Sequence, residues 1–269
     1  MTAQLLRDWS IKVAASDLKD CLWLHPGTEE PSRITDGGER YASNAPVPVE
    51  EQRKLTDGEL RLIRSDSHWP PTSCICSFPV APNVLSEIEN SAVCHLGEVV
   101  SPEFEASAAQ LWTLLCSCCP VLGIGPVQCL GVSRRPSGLR TSTFDAENGV
   151  RIGMHLDSWD RGALSKRQFG RVRLCINLGA RRRSLLFMPF DVRTVRAALA
   201  GADDFNSANI GERFCSRFRQ APVLRLDVPP GHAYIAPTEN LIHDGHSALS
   251  PSCDLTIAWL GAVQYTGQF

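Results

Sequence analysis

Arg151-Ile152-Gly153-Met154-His155-Leu156-Asp157-Ser158-Trp159 is the stretch whose reading decides the fold, together with Leu241-Ile242-His243-Asp244-Gly245-His246-Ser247, which places a second histidine 88 positions after His155. A His and a carboxylate two residues apart on a strand project from the same face. A distant His folded beside them completes a two-His-one-carboxylate set. That donor set suits non-haem Fe(II) and leaves coordination positions open for a co-substrate and oxygen.

The surrounding texture favours short strands. From Val121 onward, Val127–Val132, Gly149–Leu156, Arg171–Leu178, Ser184–Met188, Val223–Val228, His232–Ala236 and Asp254–Val263 read as strand segments bounded by turn residues. Val192–Ala200 reads as a helix ending at Gly201, and Gly211–Arg219 as a second short helix. Ser101-Pro102-Glu103 is a helix start, with a capping Ser and Pro at the first position, for a helix running to about Cys118. Many strands with few helices predict a mainly β fold with flanking helices, of the sandwich or jelly-roll type. Residues 101–269 form this core. Residues 1–100, punctuated by Pro26-Gly27, Asp36-Gly37-Gly38 and Pro46-Val47-Pro48, read as an extension packed on the core, so that the chain is functionally one domain.

The segment Arg171-Val172-Arg173-Leu174-Cys175-Ile176-Asn177-Leu178 alternates strictly. Val172, Leu174, Ile176 and Leu178 share a face that must be buried, and Arg171, Arg173, Cys175 and Asn177 share the other. Arginines repeated on one strand face need water or an anion. Charge is unevenly placed along the chain. Residues 1–150 carry 12 basic and 19 acidic groups, and residues 151–225 carry 15 basic and 6 acidic groups, within a formal net charge of −2. The arginines of the second segment read as solvated surface, with the alternative that one or two of them face a small anion beside the metal. Arg181-Arg182-Arg183 reads as a solvated turn. The basic groups form no aromatic-interleaved stripe, which argues against nucleic acid. No apolar run reaches membrane-spanning length, and the polar N-terminus does not read as a signal peptide. Eleven cysteines in 269 residues, an odd count in a long chain, fit free thiols in a reducing cytoplasm. Cys74-Ile75-Cys76 and Cys116-Ser117-Cys118-Cys119 have spacings that fit structural zinc poorly.

The pattern resembles the Fe(II)- and 2-oxoglutarate-dependent oxygenases, whose core is a double-stranded β-helix. The matching residues are His155-Leu156-Asp157 and the block Pro230-Gly231-His232-Ala233-Tyr234-Ile235-Ala236 that leads to His243-Asp244-Gly245, and the resemblance spans roughly residues 121–265. It implies that His155, Asp157 and His243 hold Fe(II), that 2-oxoglutarate and O2 are co-substrates, and that succinate and CO2 accompany hydroxylation of a C–H bond. His246 is the competing distal ligand. Many members carry an arginine some ten to fifteen residues after the distal His for the far carboxylate of 2-oxoglutarate. Here that segment, Ser250-Pro251-Ser252-Cys253-Asp254-Leu255-Thr256-Ile257-Ala258-Trp259, contains no basic residue. JmjC-like members instead use a basic residue on the strand following the His-x-Asp strand; that resemblance implies Arg173 as the anchor and, by strand parity, Arg171 as the second, with Asn177, Thr256 and Tyr234 adding hydrogen bonds. The expected substrate is a small amino-acid-like or biosynthetic metabolite. Two other readings remain open: a cupin-type metalloenzyme that does not use 2-oxoglutarate, and a non-catalytic jelly-roll binding module.

Overall fold

In the computed structural model, residues 9–31, 38–65, 70–93, 102–118, 121–201 and 205–265 are described. Fifteen strands occur among them: β1 (Lys12–Ala14), β2 (Leu22–His25), β3 (Thr28–Glu29), β4 (Val47–Pro48), β5 (Arg53–Lys54), β6 (Cys74–Pro79), β7 (Val121–Arg135), β8 (Phe144–Asp145), β9 (Val150–Arg151), β10 (Val172–Asn177), β11 (Arg183–Asp191), β12 (Val223–Val228), β13 (His232–Ala236), β14 (Leu241–His246) and β15 (Asp254–Tyr265). A six-stranded sheet has the order β1-β6-β13-β10-β15-β7, and a five-stranded sheet the order β14-β11-β12-β2-β5.

The chain winds between these sheets. It leaves β10 in the larger sheet for β11 and β12 in the smaller, returns as β13, crosses again as β14 and comes back as β15. Neighbours from β7 to β15 are antiparallel throughout the two sheets. This is a double-stranded β-helix, the jelly-roll architecture expected of alternating short strands. Residues before 101 extend both sheets: β6 pairs with β13, and β2 with β12.

Burial explains the winding. On the outer face of the larger sheet, Val172, Leu174, Ile176, Ile257 and Trp259 pack against Val84, Ile88, Leu111, Trp112 and Leu115. Those partners lie on the helices Pro82–Val93 and Pro102–Cys118. The Trp259 Nε1 donates to Ala108 O at 3.1 Å, so the indole is satisfied where it is buried. On the inner face, Cys175, Tyr234, Ala236 and Ala258 join Leu185, Leu186 and Phe187 of the smaller sheet in the main core. The alternation in β10 is therefore real, but its polar face is mostly enclosed, with Arg173 alone partly exposed. Cys175 and Asn177 are buried too, because the polar face of β10 lines the space between the sheets. The helix Pro102–Cys118 matches its expected span, while its expected cap, Ser101, lies outside the described residues. The helices Val192–Leu199 and Ile210–Arg217 sit where the sequence put them, to within two residues. No described helix is long and apolar enough to cross a membrane.

One expected strand is interrupted. Only Val150–Arg151 of the predicted Gly149–Leu156 segment is regular strand, and His155 returns to the sheet as an isolated bridge to His243. Gly153 is the cause. Its φ of 75° lies in the left-handed region, and a Cβ there would meet Pro46 O at 2.5 Å. The close approach lets the Met154 N–H donate to Pro46 O at 2.8 Å. Replacing Gly153→Ala is expected to cost more than about 1 kcal/mol and to shift His155 out of place. Thermal unfolding combined with an Fe(II) titration checks both, and an unchanged Tm with unchanged affinity contradicts the assignment.

Candidate metal centre and its cavity

His155 and His243 exchange both backbone hydrogen bonds, N to O at 3.1 and 2.8 Å. Residues so paired stand directly opposite each other. This brings two rings 88 positions apart in sequence to 4.9 Å between centroids. Asp157 is fixed by its N–H, which donates to Thr238 O at 3.2 Å. Behind it, the buried Arg167 donates to Asp157 O at 3.3 Å, to Ser158 Oγ at 2.7 Å and to Glu239 Oε1 at 2.7 Å. Glu239 in turn accepts from Asp160 N at 2.9 Å. The loop after Asp157 is thus clamped by a buried ion pair, which is costly to break from one side.

The three ligand atoms lie within 4.8 Å of one another. His155 Nε2 is 3.4 Å from Asp157 Oδ1, and His243 Nε2 is 3.6 Å from Asp157 Oδ2. Both Nδ1 atoms face backbone carbonyls: His155 to Gly153 O at 2.9 Å, and His243 to Leu241 O at 3.2 Å. A carbonyl only accepts, so each Nδ1 carries a proton and each Nε2 points into the cluster, where its lone pair can meet a cation once that nitrogen is deprotonated. The buried Asp157 Oδ2 has no hydrogen-bond partner. An orphaned carboxylate oxygen beside two imidazole lone pairs fits a divalent cation. Among the described residues this is the single cluster of three such donors.

Asp244 completes the support. Its Oδ2 lies 3.5 Å from His155 Nδ1. Its Oδ1 accepts from Ser142 N, Thr143 N and Thr143 Oγ1, each at 3.0 Å. The carboxylate therefore ties the segment before β8 to the back of the His155 ring. Sequence reasoning placed Asp244 in a turn; a carboxylate directly after a ligand histidine was the available signal. Burial opposes a charge on His155, but hydrogen bonds to Asp157 and Asp244 outweigh it and push its pKa up to about 10. Burial lowers His243 to about 4. Against the effect of burial, the two histidines and Arg173 hold Asp157 well below the usual carboxylate range.

A cavity of about 290 Å³ opens on these ligands. Arg173, Tyr234 and Thr256 line it, as the sequence led one to expect. Arg173 Nη1 is 3.7 Å from Asp157 Oδ2, so this guanidinium sits at the level of the ligands. Trp159, 44% exposed, stands at the cavity wall. Arg171 and Asn177 are elsewhere. Arg171 is paired with Asp160 at 2.5 Å. Asn177 ties the β10–β11 loop to the end of β12, donating to Arg181 O and Val228 O and accepting from Gly179 N. His246 lies apart from the cluster: its Nδ1 is 3.1 Å from Arg140 O, and it lines a separate cavity with His25 and Arg225.

The arginine run is the main correction. Arg181 and Arg182 are exposed, but Arg183 is buried and lines the metal cavity. It opens β11 rather than ending a turn. Arg183 Nη1 meets Cys175 Sγ at 2.8 Å, and Arg183 Nε lies 3.4 Å from Asp254 Oδ2. Arg135, at the end of β7, is a second basic lining residue that the sequence did not single out. Cys74 and Cys76 are buried, with sulfurs 3.8 Å apart, and pack in the cluster between the larger sheet and its covering helices. Cys119 lies outside the described residues.

No family model and no curated protein matches this chain. Among solved structures it is similar to the Kdo hydroxylase KdoO, a non-heme Fe(II) alphaketoglutarate dependent dioxygenase, in complex with alphaketoglutarate and Fe(III). The identity is 12%, the TM-score 0.41, and the match covers 71% of this chain and 80% of that one. It is also similar to the non-heme alpha ketoglutarate dependent epimerase SnoN from nogalamycin biosynthesis, at 8% identity and a TM-score of 0.36, over 72% of this chain and 79% of that one.

Two outcomes follow for the centre. Asp244→Asn is expected to weaken metal binding about 10–100-fold, whereas His246→Ala leaves one metal per chain; equilibrium dialysis measures both. The proton on His155 competes with the cation, so affinity rises with pH, by roughly tenfold per unit below the His155 pKa. An affinity flat from pH 6 to 8 contradicts this protonation state.

Proposed function

We propose that the protein is an Fe(II)- and 2-oxoglutarate-dependent oxygenase that hydroxylates an unactivated C–H bond of a small molecule. The observation that carries this reading is the His155–Asp157–His243 cluster. Its imidazole lone pairs are pre-aimed by carbonyls, its carboxylate oxygen is orphaned, and it opens into an arginine-lined cavity. Three protein ligands on one side of a metal leave its other positions to co-substrate and oxygen. Bound iron would supply the oxidising chemistry in which 2-oxoglutarate, O2 and the substrate C–H bond give succinate, CO2 and the hydroxylated product, one oxygen atom going to succinate and the other to the product.

The chain's own residues have defined tasks in this reading. His155, Asp157 and His243 hold the ion. Asp244 and the carbonyls of Gly153 and Leu241 fix both rings, so that no reorganisation is needed on loading. Tyr234, Cys175 and Leu185 form a largely buried wall that keeps water from the interior of the cavity.

The far carboxylate of 2-oxoglutarate belongs, in this reading, with Arg183 rather than Arg173. Arg173 touches a metal ligand, whereas the far carboxylate lies at the other end of a five-carbon chain. Arg183 enters the cavity from the opposite sheet, and among the described residues its Nη2 makes no hydrogen bond. Its partner Asp254 stands 11 positions after His243, inside the segment where many oxygenases carry the arginine itself. Thr256 adds a hydroxyl beside it. An arginine fork grips a carboxylate in two places, so Lys is a poor substitute.

The test is succinate formation from added 2-oxoglutarate under Fe(II) and O2. The expected result is slow uncoupled turnover that His155→Ala abolishes, with Arg183→Lys raising the 2-oxoglutarate KM by about tenfold or more. Fe(II) binding with no 2-oxoglutarate consumption sinks the co-substrate assignment and leaves a metalloenzyme of another kind.

A further inference from the structure

The cavity holds more positive charge than the proposed reaction uses. Three guanidiniums line it, those of Arg135, Arg173 and Arg183, against the carboxylates of Asp157 and Asp254. Arg173 faces Asp157 at 3.7 Å, and Arg183 faces Asp254 at 3.4 Å. Among the described residues Arg135 has no hydrogen-bond or ion-pair partner. Asp254, its neighbour across the β7–β15 ladder, is already engaged by Arg183.

Asp244 offsets a little of its charge from a distance, but that carboxylate accepts from Ser142 and Thr143 and backs His155. Arg151, Arg173 and Arg183 all repel Arg135. Arg151 is itself paired with Glu39 at 3.2 Å, so the local field has no slack anion to offer. Loading does not close the gap. A ferrous ion brings two positive charges and the 2-oxoglutarate dianion brings two negative ones, leaving the surplus on Arg135. A half-buried guanidinium among three others is unfavourable unless an anion joins it.

We propose that Arg135 is the anchor for an anionic group of the substrate, a carboxylate or a phosphate. This rests on the oxygenase reading and narrows its substrate class to acids. Ser133, Ser142 and Thr143 line the same cavity, giving it a polar wall near Arg135. At about 290 Å³ the space fits co-substrate plus a small metabolite rather than a chain segment.

Calorimetry on the anaerobic Fe(II)·2-oxoglutarate protein tests this with glycolate, D-gluconate and inorganic phosphate against neutral glycolamide and sorbitol. The expected result is that at least one anion binds and the neutral molecules do not. Arg135→Gln then weakens the anion about tenfold or more, and Arg135→Lys retains part of the affinity. Neutral molecules binding as well as acids, no anion binding at all, or anion affinity unmoved by Arg135→Gln would each overturn the proposal. So would loss of 2-oxoglutarate affinity in Arg135→Gln, because Arg135 would then serve the co-substrate. If the unaltered protein binds an anion through Arg135 but never binds 2-oxoglutarate, the oxygenase reading fails and the anion site stands.

Discussion

The reciprocal backbone pair between His155 and His243 is the constraint on which the rest depends. Two hydrogen bonds set two side chains opposite each other, and those side chains are the two imidazoles of the candidate metal cluster. The pair is isolated: no regular strand surrounds His155. Its geometry is held from outside, by the left-handed turn at Gly153, by Pro46 beneath it and by Asp244 behind the ring. An isolated bridge at a sheet edge has freedom that a full strand lacks. It lets the chain turn at once so that Asp157 faces the same point.

Electrostatics then sorts the interior. Buried charges persist only when paired or coordinated, and this core carries several. Arg167 with Glu239 clamps the loop after Asp157, and Arg183 with Asp254 spans the two sheets. Arg225 with Asp227 stabilises the far face of the smaller sheet. The first and last of these pairs close on themselves. The metal cluster, Arg135 and Arg183 Nη2, which makes no hydrogen bond among the described residues, stay open and share one cavity. Incomplete charge in a well-packed protein marks where ligands belong.

Much of this was legible in the sequence. The strand segments from Val121 onward, the two central helices and the meeting of His155, Asp157 and His243 followed from alternation, turn residues and spacing. What was illegible depended on three-dimensional closure. A predicted strand over 149–156 broke because the chain approaches Pro46, some hundred positions earlier, which no local pattern records. Arg183 looked like the third member of a solvated run, yet it begins β11 and points inward, while Arg181 and Arg182 remain outside. Strand parity gave Arg171 and Asn177 the same face as Arg173. Arg171 instead leaves the sheet end to pair with Asp160, and Asn177 is consumed by loop carbonyls. Parity fixes a direction but not which partner a polar side chain reaches first.

The most direct test of the central claim is a crystal structure of protein soaked anaerobically with Fe(II) and 2-oxoglutarate, with anomalous scattering to locate iron. The account predicts one ion bonded at about 2.0–2.2 Å to Nε2 of His155, Nε2 of His243 and the Asp157 carboxylate, the three on one side. An ion seated elsewhere, at His25 and His246 for instance, or a protein that takes up no iron while correctly folded, contradicts it.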